Sequence, residues 1–317
     1  MTASSDWPAL VLSAGLATRL QPLSHTRAKA ALPVAGEALV VRILRSLGAG
    51  GVSRVVLNLH HQAHTITREV GDGSTLGLEV RYSWEPDVLG SAGRPAKALS
   101  LLGADRFFVV NGDTLADVDL RALAARHVET NALVTMAVVD ADPRYNAIIA
   151  DESGIVTGFE RCGAPGALGR GAYHFIGVQA VNAAAFAGVR TDVRSESVHG
   201  IYPQMIASRP GGLRVFPTSA EFFDIGTPRE YLNTALTVAA REGRPNDRGR
   251  GCVVAADADL DATVLWNDVR VGAGVALTHC VVADGVRVPA GARYDNCSLV
   301  MTDAGMVATP FGVRTDS

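Results

Sequence analysis

The stretch LSAGLATRLQPLSHTRAKAALPV, Leu12 to Val34, follows a short apolar run and has the make-up of a loop that holds an anion. Ser13, Ala14, Gly15 and Ala17 are small, so the backbone there can turn several N–H groups onto one ligand at close range. Arg19 and Lys29 would neutralise phosphate charge. The same residues would also serve as a tight turn with its cations on the surface. The loop has neither the GxxxxGK[ST] nor the GxGxxG spacing, so it is neither a P-loop nor a dinucleotide fingerprint. Two carboxylates extend the set. FFVVNGDT puts Asp113 just past a strand end, where a hard oxygen ligand suits Mg²⁺. An Asn-Gly turn with an incidental aspartate reads as well. EFFDIGTP offers Asp224 just before a helix start, either as a ligand or as a turn residue near the helix dipole. Two aspartates from two strand ends could hold one metal between them, as phosphoryl and nucleotidyl transfer require. HHQAH (60–64) looks like a metal cluster, but only His61 and His64 share a helix face. A solvated helix start fits it better.

The elements that must position these residues alternate. ALVLS (9–13), RVVLNL (54–59), LEVRYSW (78–84) and RFFVVN (106–111) read as strands, with helical periodicity around 39–47, 63–70 and 92–101. Strand, helix, strand at this spacing implies right-handed βαβ units in a doubly wound, mainly parallel α/β sheet. Ligands bind such sheets beyond the C-terminal strand ends, the edge at which Leu12–Val34 leaves. From about residue 134 the pattern becomes strand–turn–strand, with helices near 182–186 and 198–208, and reads as an antiparallel elaboration of the same sheet. EFFDIGTPREYLNTALTVAAR then makes a strand, a turn and a helix with Thr227 as N-cap, Pro228 in first position and Glu230 completing a capping box.

EGRPNDRGRG (242–251) reads as a linker. Beyond it Val271, Leu277 and Ala283 are six apart, as are Val275 and Val281, the period of a parallel β-helix. The register slips at Val288, and the segment suffices for a few coils. Cys280 and Cys297 should stack one coil apart. The expected domains are 1–243 (catalytic), 244–251 (linker) and 252–317 (hexapeptide-repeat β-helix).

With 317 residues, a net charge of −3, 48% apolar and 19% charged residues, the chain fits a soluble globular protein with a sizeable core. It has no basic field for nucleic acid, no polybasic membrane patch and no bilayer-spanning run. The N-terminus lacks the basic region of a secretion signal. Cys162, Cys252, Cys280 and Cys297 have no CxxC spacing, which suggests reduced, buried thiols in the cytoplasm and no zinc site.

Taken together the motifs resemble those of the sugar-1-phosphate nucleotidyltransferases, the nucleotide-sugar pyrophosphorylases. Their signature L-x-G/A-G-x-G-T-R-L-x-P-L-T-x-x-x-x-K-x-x-x-P-V is followed almost throughout by Leu12–Val34. EPDVLGSAG (85–93) is similar to their L-G-T-A-G segment, VVNGDT to the N/S-G-D metal motif, FERC (159–162) to E-K-P, and FFDIGTPREYL to W-x-D-I-G-T-P-x-x-Y. The motifs run in family order from 12 to 232.

The resemblance implies a Rossmann-like (GT-A type) fold with a short left-handed β-helix after it, and Mg²⁺-dependent transfer of a nucleotidyl group from an NTP to a sugar-1-phosphate. It implies Arg19, Lys29, Asp113 and Asp224 as catalytic, with the two aspartates on the metal. Leu12, Ala14, Gly15, Ala17, Thr18, Glu85, Gly90 and Ser91 would bind the nucleotide. Glu160, Arg161, Asn146 and Gly177 would bind the sugar phosphate. Ala17 replaces a glycine, Ala28 a proline, Arg161 a lysine and Asn146 a glycine, and AYHFIGV lacks a clear Asn-x-Gly. Glu85 and LPVAGEALVVRIL favour GTP and mannose-1-phosphate, although MurNAc-phosphate uridylyltransferases share the latter segment. Two alternatives remain: a catalytically weak nucleotide-sugar sensor, and an acyltransferase using His279 of the β-helix. A homo-oligomer joined through the β-helix is expected.

Overall fold

β-Branched and aromatic runs bounded by Gly, Asn and Asp become the strands of one nine-stranded mixed sheet. A computed structural model describes residues 7–164, 168–244 and 247–312. Residues 1–6 of the N-terminal reading and 245–246 of the linker lie outside them. The strands are β1 Ala9–Leu12, β2 Arg54–Leu59, β3 Glu79–Trp84, β4 Arg106–Asn111, β5 Val134–Asp140, β6 Ala147–Ala150, β7 Val156–Glu160, β8 Ala172–Asn182 and β9 Leu213–Pro217. Their order is β7-β6-β8-β4-β1-β2-β3, with β5 against β8 and β9 against β5. β1 is parallel to both β2 and β4, so the order reverses at the β1/β4 seam. That seam is the topological switch point, where an open α/β sheet leaves a crevice beyond its strand ends.

The antiparallel elaboration is present. β8 runs against β4, β5 and β6, with a register shift between Phe175 and Gln179. Helices α1 Leu39–Ala49, α2 Ala63–Val70 and α3 Gly90–Leu102 fall where periodicity puts them. α3 buries Ala92, Ala96, Ala98 and Leu102 in a core that includes Leu10, Val56 and Phe107. α4, Leu120–Thr130, was not foreseen. Its inner stripe of Leu120, Leu123, Ala124 and His127 is short and interrupted by a histidine. Its ends are nonetheless well marked: Asp119 accepts from the N–H groups of Arg121 and Ala122, and Asn131 closes it at φ 48°. The helix expected at 198–208 is a π-turn, Ser197–Ile201, followed by α5, Tyr202–Ser208. The helix near 182–186 is a 3₁₀ turn.

Two compact units emerge from the contacts, and they do not follow the linear order. The first holds residues up to Ala14, Ile43–His60 and Val70–Phe222. The second holds Gly15–Arg42, His61–Glu69 and everything described from Phe223 onward. In the second unit α6, Pro228–Arg241, starts as expected: Thr227 accepts from the Glu230 N–H. Glu230 reaches back to the N–H of Gly226, one residue beyond the usual capping box.

The C-terminal segment forms three parallel ladders. Val253, Arg270 and Arg287 stack in one, Asp259, Ala276 and Arg293 in the next, Val264, Val281 and Ser298 in the third. The repeat is 17 residues, as in the stacked pair Cys280 and Cys297, whose sulfurs lie 3.7 Å apart. One side of each coil is a residue short of six, which accounts for the slip at Val288. Ala262, His279 and Asn296 occupy equivalent corners, each with positive φ. His279 is therefore a corner residue. The cysteines are all free, but Cys162 is exposed and Cys252 half-buried, which corrects the expectation of four buried thiols. No described helix is long and apolar enough to cross a membrane.

His127 generates a pH prediction. Burial, with Arg106 adding to it, lowers its pKa to about 4. The unfolded chain then binds a proton that the folded chain refuses between about pH 6.5 and 4, so this group's contribution is complete above that window and lost as pH falls through it. Urea titrations of wild type and His127→Gln should diverge with a slope of up to about 1.4 kcal/mol per pH unit in that window. They should run parallel above pH 7.

Candidate active site

On the first unit the site begins where β1 meets β4. Gly112 donates its N–H to the Leu12 carbonyl at 3.0 Å. A Cβ on Gly112 would lie 2.7 Å from that oxygen and 3.2 Å from Ser13 Cα. Only glycine lets the Asn111–Asp113 turn cross here, and the crossing sets half-buried Asp113 at the switch point. The Thr114 hydroxyl donates to its Oδ1 at 3.3 Å. Gly177, expected at the sugar phosphate, sits in the bulge of β8 with φ 82°; a Cβ there would meet Asn111 at 3.1 Å. It lets β8 close over this turn.

Beneath the crevice runs a buried polar chain. Ser13 donates its N–H to Asn58 Oδ1 (2.7 Å) and its hydroxyl to the Asn58 carbonyl. Asn58 Nδ2 donates to Glu85 Oε1 at 2.6 Å, and Glu85 Oε2 accepts the Leu89 N–H at 3.2 Å. Arg94 lies 3.7 Å from the same oxygen. Burial pulls the Arg94 pKa below its ordinary value against the attraction of Glu85, Glu196 and Asp113. Glu85, expected at the nucleotide, is 3% exposed with both oxygens engaged, and it ties the ends of β1, β2 and β3 to α3.

Gly90 and Ser91, also expected at the nucleotide, meet the 195–196 segment. Gly90 has φ 76°, and a Cβ would lie 2.4 Å from the Ser195 carbonyl. That carbonyl accepts the N–H groups of Ala92 and Gly93. Ser91 donates both N–H and hydroxyl to Glu196 Oε2, at 3.1 and 2.8 Å. Burial opposes the charge on Glu196, but these bonds and Arg194 hold its carboxyl below the usual range. The helix start that could face a ligand is capped by the chain itself. Sequence reasoning missed Glu196 and Arg94 because neither stands in a recognisable motif.

A cavity of about 390 Å³ brings together Asn146, Glu160 and Arg161, three of the four residues expected at the sugar phosphate. Its other walls are Tyr145 stacked on His174 (4.1 Å) and Phe159 stacked on Tyr202 (6.3 Å), with Met136, Ile148, Phe175 and Val198. Asn146 Oδ1 accepts the Cys162 N–H at 2.9 Å and so holds the turn after Arg161. The Tyr202 hydroxyl donates to Gln179 at 2.8 Å. The aromatic walls come from four separate segments, and no spacing announces them.

The second unit carries Gly15, Ala17, Thr18, Arg19, Lys29 and Asp224. A Cβ on Gly15 would meet nothing within 4 Å, which leaves open space against that backbone, while Ala14 of the first unit is fully buried. Ala17 is in the left-handed region at φ 51°, ψ 41°. Arg19 packs over Gly226: its guanidinium nitrogens lie 3.2 and 3.3 Å from where a Cβ would be. Lys29 opens a 3₁₀ turn, Lys29–Ala31. Ala28 holds φ −56°, ψ 147°, which proline could adopt, but its N–H donates to Thr65 Oγ1 at 3.1 Å, a bond proline cannot make. Half-buried Asp224 ends a short strand, Phe222–Asp224. His60 and His61 bond to backbone carbonyls, at Glu85 and Ser24, and no described group of three metal-binding side chains exists. His64 is exposed at the helix start, as the solvated reading of HHQAH has it, while His60 and His61 also tie down backbone carbonyls.

Residues 8–241 match the description "Nucleotidyl transferase". The chain belongs to the nucleotidyl transferase family. It is 31% identical over 298 residues to a mannose-1-phosphate guanylyltransferase of Mycobacterium tuberculosis, covering 89% of this chain and 81% of that one. It is 42% identical over 115 residues to an N-acetylmuramate alpha-1-phosphate uridylyltransferase of Neisseria meningitidis, covering 36% of this chain and 50% of that one. Among solved structures, HddC from Yersinia pseudotuberculosis shares the fold, with a TM-score of 0.62 at 22% identity, over 73% of this chain and 99% of that one. The family is enzymatic, and the sugar-1-phosphate nucleotidyltransferase assignment made from the motifs holds.

Two substitutions test this geometry. Glu85→Ala strips the acceptor from Asn58 and Leu89 and the counter-charge from Arg94. It should cost about 3 kcal/mol or more, read as a shift of the urea midpoint. Ala17→Gly removes a left-handed alanine and should stabilise by about 1 kcal/mol in the same measurement.

Proposed function

We propose that this protein transfers a nucleotidyl group from an NTP to a sugar-1-phosphate, with GTP and mannose-1-phosphate as the pair. The observation that carries the reading is the β1/β4 switch point, where the Gly112 crossing sets Asp113 at the edge on which such sheets bind ligands. The Mycobacterium relative, matched along most of both chains, supports the guanylyl and mannose assignment. An oxygen of the sugar phosphate attacks the α-phosphorus in line; that P–O bond forms as the bond to the β-phosphate oxygen breaks, and pyrophosphate leaves. Arg19 and Lys29 bind the triphosphate and balance the charge that builds on it. Glu160 accepts sugar hydroxyls, Asn146 keeps the wall beside it in place, and Arg161 meets the sugar phosphate. Holding both substrates in line is most of the protein's work.

Mg²⁺ belongs to the same proposal. Asp113 fits it: a half-buried carboxylate at a strand end is a hard oxygen ligand for an ion that keeps water and substrate phosphates in its shell. Asp224 is the second carboxylate of the pattern. The ion would neutralise developing charge on the transferred phosphate. We also assign to this reading a left-handed coil, a cytoplasmic location in keeping with four free cysteines, and a homo-oligomer. The last ladder supports the oligomer: Gly305–Pro310 is its edge strand, with Met301 and Val307 exposed on this hairpin.

A second reading, UTP with an N-acylated sugar phosphate such as N-acetylmuramate 1-phosphate, is favoured by the apolar half of the cavity. A plain hexose would bury hydroxyls without partners against Met136, Phe175 and Val198. Pyrophosphate release from five NTPs against a panel of sugar-1-phosphates decides between them. One strong pair is expected, with turnover reduced at least about a hundredfold in Asp113→Asn. Activity with no pair, in a folded protein that binds a nucleotide sugar, would replace the enzyme by a sensor.

A further inference from the structure

The turn that carries Lys29 is gripped from the C-terminal coil. Arg27, 3% exposed, makes a two-pronged pair with Asp284: Nε to Oδ2 at 2.6 Å and Nη2 to Oδ1 at 2.8 Å. Its third nitrogen, Nη1, donates at 3.2 Å to the carbonyl of Ala31, the residue that closes the Lys29 turn. The guanidinium lies 5.5 Å from the ring centre of Trp266, a fully buried coil residue. Asp284 is itself oriented by the Asn267 N–H at 3.0 Å. A second line holds the far side of the turn: Trp266 Nε1 donates to the Tyr231 hydroxyl (2.8 Å), which donates to the Pro33 carbonyl (2.5 Å).

We propose that the coil is a positioning element of the transfer site, with Asp284 acting through Arg27 to hold Lys29 in working geometry. This rests on reading Leu12–Val34 as the triphosphate loop. A packing role alone accounts poorly for the arrangement. Arg27 is buried but the Asp284 side chain is 32% exposed, so the ion pair adds little stability by itself, whereas a bidentate pair with every nitrogen engaged fixes an angle. The coil reaches the loop directly at Arg27 and, through Tyr231 of α6, at Pro33, so a small shift of either anchor moves Lys29 relative to the phosphates it neutralises. Asp284 touches no reacting atom and is a positioning residue.

The test is Asp284→Ala beside Asp284→Asn and Asp284→Glu, in the full chain. Hydrogen exchange is read at the amides of Ala30–Leu32, and steady-state constants are read for each substrate. Asp284→Ala should speed exchange in the turn at least about tenfold, leave exchange in β1 and β4 unchanged, and lower kcat/KM for the NTP about tenfold, with KM for the sugar phosphate unchanged. Asp284→Glu should recover part of both. Should Asp284→Ala fail to fold, Asp284→Asn, which keeps the volume and loses the charge, carries the same two readings at smaller amplitude. A lower melting temperature with unchanged exchange in the turn and unchanged kcat/KM would overturn the proposal and leave the coil a packing element. Absence of turnover in wild type would strike the transfer reading alone; the exchange arm would still decide whether Asp284 holds the turn.

Discussion

At the seam between β1 and β4 the backbone of one strand end lies where a side chain of the other would have to go. Gly112 has 2.7 Å between its absent Cβ and the Leu12 carbonyl oxygen, and much of the first unit's chemistry follows from that closeness. It sends Asp113 out at the switch point. The β8 bulge settles on Asn111 of the same turn because Gly177 too has no Cβ. Below it the Ser13–Asn58–Glu85 chain satisfies polar groups that would otherwise be buried bare, which fixes three strand ends against the start of α3. A crevice built this way presents its carboxylate from a rigid floor rather than from a mobile loop.

The second unit solves a different problem. Its loop has little regular structure, short 3₁₀ turns and the two-residue strand Pro33–Val34, so its geometry must come from outside it. Buried side chains supply it: Arg27 to Asp284, Tyr231 to Pro33, and Asp247 accepting the Ala35 N–H at 2.9 Å. Asp247 lies in the segment that composition marks as a linker, yet it is 2% exposed, and burial pushes its pKa up to about 6. A polar, Gly- and Pro-rich composition says that a segment is irregular; it does not say that the segment is detached.

The strands, the first three helices, the cap of α6 and the stacked cysteines were legible because each rests on local periodicity or a local cap. The placing of Asp113 just past a strand end was legible because an apolar run leads straight into its Asn-Gly turn. What escaped has long-range causes. The bonds that Glu85 accepts from Asn58 and Leu89 join three strand ends to a helix and leave no mark in any one segment. The bonds from the Ser91 N–H and hydroxyl to Glu196, over a hundred residues away, have no local signal. α4 was hidden because a buried histidine breaks its stripe. The union of the signature loop with the coil has no sequence signal, since Arg27 and Asp284 stand 257 residues apart.

The account stands or falls on nucleotidyl transfer, and the reverse reaction tests it most directly. Labelled pyrophosphate would be incubated with Mg²⁺ and each of GDP-mannose and UDP-N-acetylmuramate, using wild type and Asp113→Asn. The account predicts labelled NTP from wild type with one nucleotide sugar, GDP-mannose on the leading reading, and none above background from the variant. Tight binding of a nucleotide sugar by wild type without label appearing in any NTP would contradict it.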